Sequence, residues 1–147
     1  MRILVRFTAV TLTLLSHQLS HAETTYACPD TVRIASGTVA ADTVPPGYDA
    51  VVSKTPVRLS GINVFDGPPE DGAALVPHSE RKATQKTATT SIWKFEGNYP
   101  LGKYISCDYG YGVVRVIART YDSVTSCTAH SEIIKPSNIM KARFSCN

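Results

Sequence analysis

A chain of 147 residues with 43% hydrophobic and 18% charged side chains carries enough apolar material for one domain with a modest core, and is too short for several. The formal charge of +3 excludes less than it suggests: without Arg2 and Arg6 the remainder holds 13 basic against 12 acidic side chains. A near-neutral body with no basic cluster argues against nucleic acid or an anionic membrane surface as partner.

Met1 to Ala22 reads as an export signal. Arg2 and Arg6 precede an apolar run from Phe7 to Leu15 that is too short for a membrane anchor, and Ser20-His21-Ala22 is a small-x-small cleavage site. The expected mature chain is a single domain over 23–147, located in the periplasm or secreted, with no stable membrane insertion. A lipidated Cys28 fits poorly, because Thr25-Tyr26-Ala27 does not make a lipobox. Cys28, Cys107, Cys127 and Cys146 all lie beyond the leader, and an even count in a small exported domain reads as two disulfides. With no Cys-x-x-Cys and no Cys/His cluster, neither a metal nor a cofactor is expected.

The body reads as short strands and turns. Thr31–Val39 and Tyr48–Ser53 are predicted strands, separated by the Val44-Pro-Pro-Gly47 turn. Val57 to Phe65 alternates, but Val57 and Leu59 are out of phase with Ile62 and Val64; a bulge centred on Gly61 would bring all four to one face. The strand enters an acidic Pro/Gly-rich loop, Asp66 to Gly72. Leu75 and Val76 then return to plug one end of the core. His78 to Thr90 is polar and reads as an exposed loop, and Ser91–Glu96 as a strand with Trp93 and Phe95 on one face.

Tyr104 to Arg119 organises the rest. Ile105, Cys107 and Tyr109 form the inward set, alternating with Ser106 and Asp108, and Val114, Val116 and Ala118 form the inward set of the return strand. Gly110 and Gly112 supply the positive φ of a tight hairpin. Val124–His130 and Ile139–Cys146 close the chain. If their turn centres on Pro136-Ser137, Cys127 falls opposite Cys146, and Cys28 then pairs with Cys107; the rival pairing joins Cys107 to Cys127. The fold class is all-β, an antiparallel sandwich or small barrel of about seven or eight strands.

No catalytic set is expected. His130 could act as a base only with Asp108 or Glu132 beside it, and His78-Ser79-Glu80 cannot converge by adjacency. Asp66, Glu70 and Asp71 lack the donor spacing of a calcium loop. The same three carboxylates, on a backbone stiffened by Pro68 and Pro69, suit binding to a cationic protein surface. Tyr111, between two glycines at the hairpin tip, is the competing contact; Tyr109 is assigned to the core.

The set Cys28-Pro29, Leu59 to Pro69 ending Phe-Asp-Gly-Pro-Pro, Leu75-Val-Pro77, Trp93, Cys107-Asp-Tyr109, Ser126-Cys127 and terminal Cys146 resembles a family of small exported Gram-negative proteins without an assigned activity, some associated with type VI secretion regions. The resemblance implies an immunity or inhibitor role. The cysteine-closed plan is also similar to periplasmic lysozyme inhibitors, although their inhibitory loop has no counterpart that matches residue by residue. The expectation is a periplasmic binding protein that blocks a peptidoglycan-active enzyme; the alternative is a non-catalytic structural or surface accessory protein of the cell envelope. The resemblance supplies no catalytic residues.

Overall fold

The computed structural model describes residues 23–70, 72–84 and 87–147. The export signal and Asp71 lie outside the described residues. Ten strands follow in order: β1 Thr24–Cys28, β2 Thr31–Val32, β3 Val57–Asp66, β4 Ala73–Ala74, β5 Ser79–Lys82, β6 Ala88–Lys94, β7 Lys103–Tyr109, β8 Val114–Arg119, β9 Ser126–Ile134 and β10 Ile139–Cys146. One antiparallel sheet has the order β1-β10-β9-β6-β5. The other has β2-β3-β7-β8, with β4 on the flank of β3. Two separate stacked sheets make a sandwich, the first of the two expected forms, and not a closed barrel. No helix among the described residues is long and apolar enough to cross a membrane.

The inner faces follow period two. Ala142, Phe144 and Cys146 of β10, Cys127 and Ala129 of β9, and Trp93 of β6 face Leu59 and Val64 of β3 and Ile105, Cys107 and Tyr109 of β7 across one core. Trp93 lies 6.1 Å from Phe144 ring to ring, and its Nε1–H donates to Leu75 O at 2.9 Å. Leu75 therefore packs on the core as expected. Val76 does not: it is 88% exposed, because consecutive residues of an extended segment point to opposite sides and the core takes only Leu75.

Both disulfides form as expected. Cys127 lies directly opposite Cys146 in the β9–β10 ladder, with Cα atoms 4.1 Å apart. Ser126 and Asn147 on one side exchange both backbone hydrogen bonds, so the cysteines occupy the closer, non-hydrogen-bonded position. Cys28 of β1 joins Cys107 of β7 and ties the two sheets together. A crosslink between residues 79 apart stabilises by about 4 kcal/mol in the chain-entropy model.

Several local expectations fail. Thr31–Val39 yields only the two-residue β2, and Tyr48–Ser53 is not a strand; 33–56 is an excursion with a single 3-10 turn at Ala41–Thr43. Pro45, Pro46 and Pro56 interrupt the segment, and a proline cannot donate to a ladder. His78 to Thr90 is not a loop, since β5 and the start of β6 pair across it, Ser79 opposite Ile92 and Lys82 opposite Thr89. β5 is the sheet's edge and is exposed throughout, so its Ser-Glu-Arg-Lys sequence carries no apolar signal. Ser106 and Asp108, the outward set of β7, are buried. β7 lies between β3 and β8, and the neighbouring side chains on that face close over them.

The predicted bulge is present. The β3–β7 register shifts between Leu59 and Gly61, leaving Ser60 as the extra residue. Leu59 and Val64 enter the core and Val57 and Ile62 pack beside it, so the four do share a face.

Candidate binding surface

The β7–β8 turn is Gly110-Tyr111-Gly112-Val113. Its first three residues lie in the left-handed region, with φ of +57°, +59° and +90°. Glycine adopts this at no steric cost, whereas a bulky side chain there is an outlier, worth about 1–2 kcal/mol of strain. Gly110 has a second constraint: a Cβ there would lie 2.9 Å from Val57 Cγ1. Tyr111 sits in the strained conformation with a side chain 98% exposed, beside Val113, which is also exposed.

The bulge holds this tip. Ser60 Oγ donates to Asp108 O at 3.0 Å and accepts the Tyr111 N–H at 2.8 Å. Gly110 N–H donates to Arg58 O at 3.3 Å. Below it, on the outer face of the sheet, the buried Asp108 carboxylate accepts from Asn63 Nδ2 at 2.6 Å and from Ser106 Oγ at 2.5 Å, and pairs with Arg115 Nε at 3.5 Å. Arg115 also lies over the Phe65 ring, 5.5 Å from its centroid. A buried carboxylate must be met by donors, and this one is met by three side chains from three strands. The tip is thus a braced backbone, built on a polar cluster, that carries an exposed aromatic side chain.

The acidic loop is at the other end of the same strands. Asp66 pairs with Lys103 at the start of β7, whereas Leu59 pairs with Tyr109 at its end. The six steps of β7 from Lys103 to Tyr109 span roughly 20 Å of strand. Asp66 and Tyr111 therefore do not belong to one patch. The loop is also less free than its composition implies. Gly67 and Pro69 are buried, Gly67 N–H donates to Gly102 O at 2.8 Å, and Gly72 N–H closes the loop on Pro68 O. A Cβ on Gly72 would collide with the carbonyl of Asp66. Asp66 is half-buried and Glu70 is exposed.

Beside this loop lies a buried cation. Lys103 Nζ donates to Asp122 O at 2.9 Å and Val124 O at 2.8 Å, and sits 5.2 Å and 5.5 Å from the ring centroids of Phe95 and Tyr99. Burial lowers its pKa below the usual lysine value, partly offset by Asp122, with Arg119 adding a smaller lowering. Two carbonyls and two ring faces take the place of a carboxylate partner.

His130 is not assembled into a catalytic set with Asp108, which lies in the other sheet. Its Nδ1 is 3.0 Å from Thr90 Oγ1, on a surface where a cavity of about 510 Å³ crosses β1, β10, β9 and β6. No group of three or more potential metal ligands occurs among the described residues.

Residues 54–147, which include the bulge, the hairpin tip, the acidic loop and three of the four cysteines, match a family model described as type VI secretion system Tli immunity protein. The chain belongs to this family. No curated protein and no solved structure matches the chain. The Tli match covers β3 to β10 and begins after β1, β2 and Cys28. The association with type VI secretion and with immunity, implied by the sequence resemblance, is thereby established at the level of the family.

Sequence reasoning found Tyr111 and Gly61 but missed Ser60, the residue that connects them. Gly61 signals a bulge; nothing in a linear pattern tells where a serine hydroxyl then points.

Proposed function

We propose that this chain is a periplasmic immunity protein that binds a type VI effector enzyme acting on the cell envelope, of the peptidoglycan-active class, and blocks it without catalysis of its own. Family membership supports the immunity role, and two disulfides suit an oxidising compartment reached through the 1–22 export signal. The contact we assign first is Tyr111. The observation that carries this is a fully exposed aromatic side chain in a strained left-handed conformation, braced by Ser60. Strain that persists on a surface loop, where a third glycine would relieve it, is retained for what the side chain does outside the molecule. A tyrosine on a braced backbone loses little main-chain entropy on binding and brings both apolar area and a hydroxyl.

The acidic loop, with Asp66, Glu70 and Asp71, is the second contact, suited to the cationic rim of an enzyme that works on an anionic polymer. Its distance from Tyr111 means that one narrow cleft cannot take both.

The test is co-expression with envelope-acting type VI effectors, scored for rescue of growth and for a stable purified complex with the effector that is neutralised. Activity of that effector on isolated peptidoglycan and on phospholipid vesicles identifies its substrate. Rescue with no complex formed would remove the direct-binding reading. Hydrolysis of vesicles but not of peptidoglycan would move the target from the cell wall to the membrane lipid.

A further inference from the structure

Four sheet edges are available among the described residues, and they differ. β5 is guarded by Glu80, Arg81 and Lys82, the charged kind of edge that resists pairing. β2 and β4 have two residues each. β1 lies beside the Cys28 crosslink to the opposite sheet. β8 is six residues long, carries no proline or lysine, and exposes Val116 and Ile117. It runs directly from the Tyr111 tip.

The register tells which groups of β8 are open. Thr120 N–H donates to Lys103 O, so alternate residues 118, 116 and 114 bond to β7. The N–H and C=O groups of Arg115, Ile117 and Arg119 therefore face away from the sheet. Their side chains share the outer face in the order cation, apolar, cation. Each guanidinium has one internal carboxylate contact, Arg115 to Asp108 and Arg119 to Asp122, which leaves most of its five donors unused.

We propose that the open edge of β8 takes up an extended segment of the effector as an added strand, one that sets an apolar side chain against Ile117 and carboxylates against Arg115 and Arg119. This rests on the immunity reading and deepens it: the edge gives main-chain affinity, the arginines choose the strand, and Tyr111 caps one end. A second copy of this chain is a poorer occupant, because pairing β8 with itself gathers four arginines on one face of two strands.

The experiment uses the full mature chain and a catalytically inactive variant of the effector that the chain neutralises in co-expression. Amide exchange at Arg115, Ile117 and Arg119 slows by about tenfold or more in the complex, while that of Val114, Val116 and Ala118 is already slow in the free protein. Ile117→Pro removes the central outward N–H without touching a ladder bond and weakens the complex by about a hundredfold, whereas Ile117→Thr keeps the N–H and loses about tenfold or less. Unchanged exchange at the three amides together with wild-type binding by Ile117→Pro overturns the edge proposal and leaves the immunity reading standing. No complex with the wild-type chain removes both. Slow exchange of the three amides without effector, in a protein that is dimeric by light scattering, overturns the proposal in favour of self-pairing.

Discussion

Tyr111 and Ser60 are joined by a 2.8 Å hydrogen bond from the tyrosine's backbone N–H to the serine hydroxyl, so the most exposed aromatic of the hairpin is fastened to the one residue that β3 has in excess. Ser60→Ala severs this link and the bond to Asp108 O. The expected cost is about 1 kcal/mol in denaturant unfolding. Binding to the effector weakens through slower association, since the tip loses its preset geometry while Tyr111 itself remains. Equal association rates for Ser60→Ala and wild type would show that the brace has no part in recognition.

Tyr111→Gly separates stability from binding. Relief of the left-handed strain raises unfolding free energy by about 1 kcal/mol, or a few degrees in Tm. Loss of the side chain speeds dissociation and costs roughly 2 kcal/mol of affinity. A variant both less stable and fully able to bind would contradict both halves of this argument.

The combined substitution of Asp66, Glu70 and Asp71 by alanine tests the other end of the sheet. Slower association and a flatter salt dependence are expected, with dissociation little changed. Folding changes by less than about 0.5 kcal/mol if the three carboxylates act only toward solvent. Association that is unaltered at low salt would reduce the segment to an ordinary turn.

Tyr109 gives a pH signature. Its hydroxyl donates to Pro29 O at 2.8 Å, and burial, with a smaller effect of Asp30, raises its pKa above the ordinary 10.0. The folded state therefore holds this proton at a pH where the unfolded chain has released it. The stability involved is complete below pH 10.0 and is lost as pH rises through the folded pKa. Lys103 acts in the opposite sense: its lowered pKa makes stability rise with pH up to the unfolded value of 10.5. Tyr109→Phe should cost about 1 kcal/mol at neutral pH and remove the tyrosine's part of the alkaline decline. Urea melts of the two proteins from pH 8 to 11 would reveal it; parallel curves would exclude a proton held at Tyr109.

What could be read from the chain, and what could not, follows from the range of the forces. The Cys127–Cys146 register was legible because a short turn at Pro136-Ser137 determines every pair of that hairpin. The core tyrosine, the Gly61 bulge and the inward set of β10 were legible because period two is a local property. β5 was not, since an exposed edge strand needs no apolar residue and Ser-Glu-Arg-Lys resembles any solvated segment. The burial of Asp108 was not either. Its partner Asn63 comes from a strand 45 residues away, Arg115 opposite it in the hairpin reads as an ordinary solvated cation, and only their pairing makes a buried carboxylate acceptable. The acidic loop was visible by composition, but the attachment of Gly67 to Gly102 depends on a neighbour distant in sequence. The sequence placed Tyr111 at the hairpin tip and favoured its exposure, without indicating that Ser60 would hold it.

The pairing of β1 with β10 places Thr24 opposite Cys146, so the two ends of the described chain lie side by side in one sheet. Among the described strands, β1 has no sheet neighbour until β10 is in place. A chain stopped at Pro136 would leave β1 without its ladder partner, held only through the Cys28–Cys107 bond, and Cys127 as a thiol without its partner. The fold thus closes like a clasp whose two halves are far apart in sequence, and a copy without the second half betrays itself by a reactive sulfur.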